Sequence, residues 1–198
     1  SANFAAGSNI IAVLVDVDNH SDLVKAKAEI RNLIGVGNPS IHTTDTKAET
    51  WKNATSCFND ETINYMNRVS LGAANGIQFT NFIKETKRII SDSDITLEDI
   101  CVVGSAPLGA YGKRDCKDFD VLHLGGNIQF NNIVSSHNQY AGYYADTPND
   151  IIYNPNNHFY IEGIKFITPE GMIKMKLNRG EAKDKIDVAL MRETIWKI

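Results

Sequence analysis

The stretch from Ile100 to Leu124 constrains the fold more than any other part of the chain. Ile100-Cys101-Val102-Val103 is short, apolar and β-branched, which is the composition of a buried strand. Gly104-Ser105 follows at once, and Ala106 to Tyr111 has room for a short helix before Gly112. Phe119 to Leu124 reads as a second strand, closed by Gly125-Gly126. Successive strand side chains point to opposite faces, so Asp118 and Asp120 share one face while Phe119 and Val121 point into the core. Two carboxylates on one face repel each other. A divalent cation removes that cost, and Mg²⁺ suits a site built from carboxylates and phosphates. Gly104 and Ser105, at a helix N-terminus, offer backbone N–H groups and a hydroxyl to phosphate oxygens. The order of these parts reads as a site for a metal-bound nucleoside triphosphate, where the metal neutralises charge and orients an in-line attack. The plainer alternative is that Ser105 is only an N-cap and the aspartates are surface turn residues. Two apolar strands flanking the motif favour the site.

The rest of the chain supplies elements around this unit. Asn9 to Asp16 is apolar and β-branched and predicts a buried strand; Ser21 to Ile34 has helical spacing, with Leu23, Ala26 and Ile30 on one face. Ser40-Ile41-His42-Thr43 reads as a second short strand. Thr46 and Glu49 form a capping box for a helix, and Lys47 to Val69 predicts two short helices broken near Asn59-Asp60. Gly76 to Ile90 predicts another helix, and residues 129 to 145 a further one. Ile151 to Tyr153 and His158 to Ile161 are expected to pair as a hairpin, with Glu162-Gly163 as a second turn before Ile164 to Ile167. Thr168-Pro169 opens the last helical region. The expectation is an α/β (α+β) protein: a helix-rich N-terminal part over residues 1–92, then a mixed β-sheet with flanking helices over residues 93–198.

Composition narrows the partners rather than the chemistry. The chain has 198 residues, 42% apolar and 22% charged, which is globular and long enough to bury a core. A net charge of -4 provides no general basic field, so long nucleic acid is not an expected partner. Cys57, Cys101 and Cys116 lack C-x-x-C spacing, and His20, His123, His137 and His158 have no ligand spacing for zinc. No apolar run approaches the roughly 20 residues of a membrane span, and the N-terminus lacks a signal-peptide layout. A cytoplasmic protein without a membrane partner is expected.

The stretch from Gly104-Ser105 to Arg114, Asp118 and Asp120 resembles the DNA polymerase β-type nucleotidyltransferase superfamily, most closely the abortive-infection type proteins. Those carry a Gly-Gly/Ser turn, a short apolar helix, then Arg-x-Ser/Thr-x-Asp-x-Asp. Arg114 holds the arginine place, and Cys116 stands where the family has a hydroxyl residue. Lys174, Lys176, Arg179, Lys183-Asp184 and Asp187 resemble the family's C-terminal helix signature. The resemblance covers roughly residues 100 to 190. It implies a nucleotidyltransferase-like core and Mg²⁺-dependent transfer of a nucleoside monophosphate from a nucleoside triphosphate to an unknown hydroxyl or phosphate acceptor. Asp118 and Asp120 would be metal ligands. Gly104, Ser105, Arg114, Lys176 and Lys183 would meet the phosphates. The superfamily also presents a third carboxylate on a later strand as base. Glu162 fills that role if its strand runs straight through Gly163; if Glu162-Gly163 is a turn, the carboxylate is missing, and Asp150 is a weaker substitute. The whole chain also resembles proteins of bacterial surface-polysaccharide clusters. Two alternatives therefore stand: a non-catalytic nucleotide- or sugar-binding module of the same fold, and a sugar or phosphosugar transferase using the same aspartate pair.

Other polar groups have simpler explanations. Asp16 and Asp18 at the end of the first apolar run suit a phosphatase or glycosyltransferase, but Asn19-His20 follow where a phosphatase has Gly-Thr, and a polar loop after a buried strand is the favoured reading. His42, Asp45 and Glu49 fit the capping box. Tyr140, Tyr143 and Tyr144 read as helix packing or as a surface that stacks a base. Lys183 and Asp187, four apart, could form an ordinary helix ion pair.

Overall fold

The structure is a computed structural model that describes residues 11–69 and 76–195. The protein is α/β: a helix-rich N-terminal part precedes a five-stranded mixed sheet with flanking helices. The chain divides into two compact units, Ser1–Ala54 and Thr55–Ile198.

In the first unit, α1 spans His20–Ile34. Asn19 caps it by accepting from the Ser21 N–H at 3.0 Å, and Gly35 ends it in the left-handed conformation at φ 70°. No residue of α1 is buried, so the apolar face expected from its spacing meets no core. The strand expected over Asn9–Asp16 is not formed over the part that is described: residues 11–16 have no regular secondary structure and no sheet partner, and Ile11 and Val13 are exposed. Asn9 and Ile10 lie outside the described residues. A β-prone run becomes a strand only where a neighbour satisfies its backbone, and local composition cannot supply one. The strand expected at Ser40 to Thr43 is likewise replaced by a 3-10 turn, Asn38–Ser40, and unpaired chain. α2, Lys47–Cys57, begins as expected, with Thr46 Oγ1 accepting from the Glu49 N–H at 3.1 Å. The reciprocal bond goes elsewhere: Glu49 accepts from the Asp45 N–H at 2.8 Å.

The second unit holds the sheet. α3 (Asp60–Arg68) and α4 (Ile77–Ser91) precede β1 (Ile100–Val103), α5 (Ala106–Ala110), β2 (Phe119–His123) and β3 (Val134–Ser136). α6 (Pro148–Tyr153), β4 (His158–Ile161), β5 (Ile164–Ile167), α7 (Pro169–Arg179) and α8 (Ala182–Ile195) complete it. The sheet order is β3-β2-β1-β5-β4. β1 is antiparallel to β2, with Val103 opposite Asp120, and parallel to β5, with Val102 opposite Phe166. β3 runs parallel to β2, and β4 and β5 form an antiparallel hairpin. Aromatic rings bind the helices to the sheet. Phe79 and Phe82 of α4 meet Phe119 edge-on at 5.1 and 5.3 Å between centroids, and Tyr65 of α3 stacks on Phe159 at 4.6 Å. Because α3 and α4 cover this sheet, its packing unit starts at Thr55, ahead of the boundary expected near residue 92.

Two expected elements differ. The helix expected over 129–145 is β3 followed by a 3-10 turn, Asn138–Tyr143. The Asn131 side chain accepts from the Ile133 and Val134 N–H groups at 2.8 and 2.9 Å, which turns the chain back to pair with β2. The strand expected at Ile151 to Tyr153 is α6, capped by Thr147 with Pro148 in its first turn. The hairpin partner of β4 is therefore β5, joined by Glu162-Gly163. Among the described residues no helix is long and apolar enough to cross a membrane.

Candidate functional site

The site lies where β1 ends and β2 begins. Gly104 follows β1 at φ 65°, a conformation that side chains rarely adopt, and a Cβ there would collide with the Asp120 carboxylate. Glycine is thus required twice, and its absence of a side chain brings the backbone against Asp120. Ser105 is the N-cap of α5 but makes no side-chain capping bond. α5 has five residues, so its dipole is small and any phosphate contact depends on the local N–H groups.

Alternation along β2 works as expected. Phe119 and Val121 are buried, and Asp120 lies on the opposite face, half-buried. His123 shares the parity of Phe119 and bonds Ser136 at 3.0 Å, away from the carboxylates. Asp120 Oδ1 accepts from the Ser135 hydroxyl at 3.2 Å, and its Oδ2 is 3.9 Å from His137 Nε2. Asp118 is half-buried just before β2. Burial pushes its carboxyl above the usual range and the neighbouring Asp120 charge adds to this, against Lys117 and Lys183.

The sequence does not point to His137 as part of this site, and it presents Tyr144 only as a member of an aromatic run. His137 is 2% exposed, and its Nδ1 lies 2.8 Å from the hydroxyl of buried Tyr144. Burial lowers the imidazole pKa, Asp120 opposes that, and Arg179, Lys176 and Lys183 reinforce it. Burial pushes the Tyr144 phenol far up, while the Gly104 backbone N–H draws it down. His137 thus links the Gly104–Asp120 corner to the chain beyond β3.

The expected phosphate-binding cations have other partners. Arg114 grips Asp187 with Nε and Nη2, both at 2.9 Å. Lys176 is buried and bridges Asp187 at 2.8 Å and Asp184 at 3.3 Å. Arg179 closes the network on Asp184 at 2.7 and 3.0 Å. Burial works to raise Asp184, but Arg179 and Lys176 outweigh it and hold the carboxyl down at about 2. Asp187 is lowered in the same way by Arg114 and Lys176. Lys183 does not pair with Asp187; it is exposed, bonds Glu181 at 3.0 Å, and its charge reaches Asp118 and His137.

Glu162 is not part of this arrangement. It occupies the β4–β5 turn with φ 52°, beside Gly163 at 81°, the positive-φ pair of a type I′ hairpin. The register places that turn at the start of β5, the end of the sheet occupied by Ile100 and His123, whereas Asp118 and Asp120 lie at the other end. Asp150 is also elsewhere, accepting from the Thr147 hydroxyl in the first turn of α6. On the strand beside Asp120 the opposing residue is Ser135. Among the described residues no three His, Cys, Asp or Glu side chains are placed to hold a metal ion together. A cleft of about 170 Å³ opens between Glu61, Asp146, Thr168 and Glu170, and includes none of the expected site residues. Comparison of the chain with protein-family models, with curated proteins and with solved structures gives no match.

Proposed function

We propose that the Thr55–Ile198 unit binds a Mg²⁺-complexed nucleoside triphosphate in a site of nucleotidyltransferase type. The observation that supports this reading is the close approach of the Gly104 backbone to the Asp120 carboxylate, which sets the turn expected to meet phosphates beside one of the two aspartates. Asp118 and Asp120 are the residues that would hold the metal. Their donor set fits: two half-buried oxygen ligands, one already disfavoured as an anion by burial and then by its neighbour. The ion supplies charge neutralisation between carboxylates and phosphates. Lys183 offers an exposed cation nearby, while Arg114 and Lys176 contribute through their charge from within the network.

The same geometry favours binding over transfer. A third carboxylate would belong on a strand beside the pair, and Ser135 occupies the position opposite Asp120. We therefore favour the non-catalytic nucleotide-binding module. His137 supports a second reading, nucleotidyl transfer. With Nδ1–H donating to the Tyr144 oxygen, Nε2 carries a free lone pair beside Asp120. An acceptor hydroxyl would attack the α-phosphorus, its proton passing to Nε2 as the bond to pyrophosphate breaks.

Isothermal titration of ATP, CTP, GTP and UTP with Mg²⁺ tests the shared part. At least one is expected to bind, and Asp118→Ala/Asp120→Ala is expected to abolish binding. No binding by any, or unchanged binding by the double variant, overturns the reading. Pyrophosphate release that disappears in His137→Gln would decide for transfer over binding alone.

A further inference from the structure

Three tyrosines follow His137, and the structure separates their roles. Tyr144 is buried and bonded to His137, whereas Tyr140 and Tyr143 are 38% and 40% exposed. These two rings lie 6.4 Å apart and 29° from parallel, so both present to solvent in one stack. The 3-10 turn that carries them is fixed at both ends. The Tyr140 N–H donates to the His137 carbonyl at 2.9 Å, and the Asn178 side chain of α7 donates to the Tyr143 carbonyl at 3.0 Å. Helix packing, the plainer expectation for this run, does not describe two rings in a short turn facing water.

Their position relates them to the acidic pair. The Tyr140 ring is 4.7 Å from the His137 ring, whose Nε2 is 3.9 Å from the Asp120 carboxylate. An exposed aromatic surface therefore lies within a nucleotide's length of the atoms that would hold its phosphates. Every nucleobase has a π-face, and stacking on such a ring needs no hydrogen-bonding edge. A net charge of -4 disfavours a polynucleotide on this surface, while a single nucleotide with its own metal brings little charge.

We propose that Tyr140 and Tyr143 form the stacking platform for the base of a nucleotide whose phosphates lie at Asp118 and Asp120. This rests on the triphosphate-site reading above and adds the part of the ligand that the platform recognises. Binding of ATP and of inorganic tripolyphosphate, both with Mg²⁺, separates the two. The wild-type chain is expected to bind ATP about tenfold more tightly than tripolyphosphate, the gain typical of one base on one ring. Tyr140→Ala/Tyr143→Ala is expected to bring ATP down to the tripolyphosphate level, and Tyr140→Phe/Tyr143→Phe to keep the gain. Unchanged tripolyphosphate affinity in both variants shows that they are folded. Equal affinity for the two ligands in wild type, or an ATP advantage that survives Tyr140→Ala/Tyr143→Ala, overturns the platform alone. Failure of both ligands to bind wild type overturns the triphosphate site and the platform with it.

Discussion

Lys176 is 2% exposed and its ammonium group touches two carboxylates. With Arg114 and Arg179 it makes three cations against Asp184, Asp187 and the more exposed Glu181, which lies 3.3 Å from Arg179. The partners each group leaves behind decide which member is hardest to lose. Without Lys176, Arg114–Asp187 and Arg179–Asp184 remain as two bidentate pairs. Without the charge of Asp187, Arg114 loses its bidentate carboxylate and buried Lys176 keeps only the longer contact to Asp184. Breaking a buried pair on one side costs about 3–5 kcal/mol, because the remaining charge stays desolvated. Asp187→Asn is therefore expected to cost about 3 kcal/mol, and Lys176→Met less than half of that, measured by urea denaturation. Equal costs would show that the partners left behind do not decide the loss.

The β4–β5 hairpin shows how one turn can settle an element. Its two central residues both have positive φ, at 52° and 81°. Gly163 adopts that conformation freely, whereas Glu162 carries a Cβ at a cost of the order of 1 kcal/mol. Asparagine tolerates the left-handed region better, and Asn-Gly is the preferred pair for this turn. Glu162→Asn is expected to raise stability by about 0.5–1 kcal/mol and to leave Mg²⁺-nucleotide affinity unchanged. A loss of nucleotide binding would return Glu162 to the site. Much of this part of the chain was legible in the sequence. β1, β2 and β5 are apolar runs bounded by glycine or by the Thr168-Pro169 cap, and strand alternation sets Asp120 on the face opposite Phe119 and Val121, whereas Asp118 lies just before β2, beyond the reach of that alternation. The Glu162-Gly163 turn was legible as one of two alternatives, and only the backbone, with both residues at positive φ, takes Glu162 away from the acidic pair. Asn9 to Asp16 misled because its β-branched residues describe a preference, not a partner. Residues 129–145 misled because the Asn131 side chain, not hydrophobic spacing, sets the course of the backbone. His137 was invisible for a related reason. It reaches Asp120 only because β3 pairs with β2 in the register that sets Ser135 opposite Asp120, and no local pattern encodes that register.

At the scale of the whole molecule, acid stability depends on buried groups at separate places in the fold more than on the net charge. His158 is 2% exposed at the start of β4, and its Nδ1 is 3.0 Å from the Ile151 carbonyl. Burial lowers its pKa to about 4; the Ile151 carbonyl opposes this and the Lys165 cation assists it. His137 is shifted in the same direction. A histidine whose folded pKa lies below its unfolded value resists protonation in the native state. The unfolded chain therefore takes up more protons between the two values, and stability falls as pH drops through that window. For His158 the window runs from 6.5 down to about 4 and corresponds to about 3 kcal/mol. Asp184 acts lower down. Its contribution is complete above 3.8 and is lost as pH falls toward about 2, and Asp187 follows the same direction. Acid should therefore weaken the fold in two stages, with the histidine stage first. Against a total of about 5–15 kcal/mol for an ordinary domain, the first stage alone is a large fraction. Urea denaturation at pH 7, 5.5 and 4.5 is expected to show a falling unfolding free energy before any buried carboxylate of the network is protonated. His158→Asn keeps a donor for the Ile151 carbonyl but cannot titrate, so it should flatten most of that slope and leave the loss below pH 3.8 in place. A wild-type stability that stays level down to pH 4.5, or a slope unchanged in His158→Asn, would mean that the buried imidazole is not what makes this fold acid-sensitive.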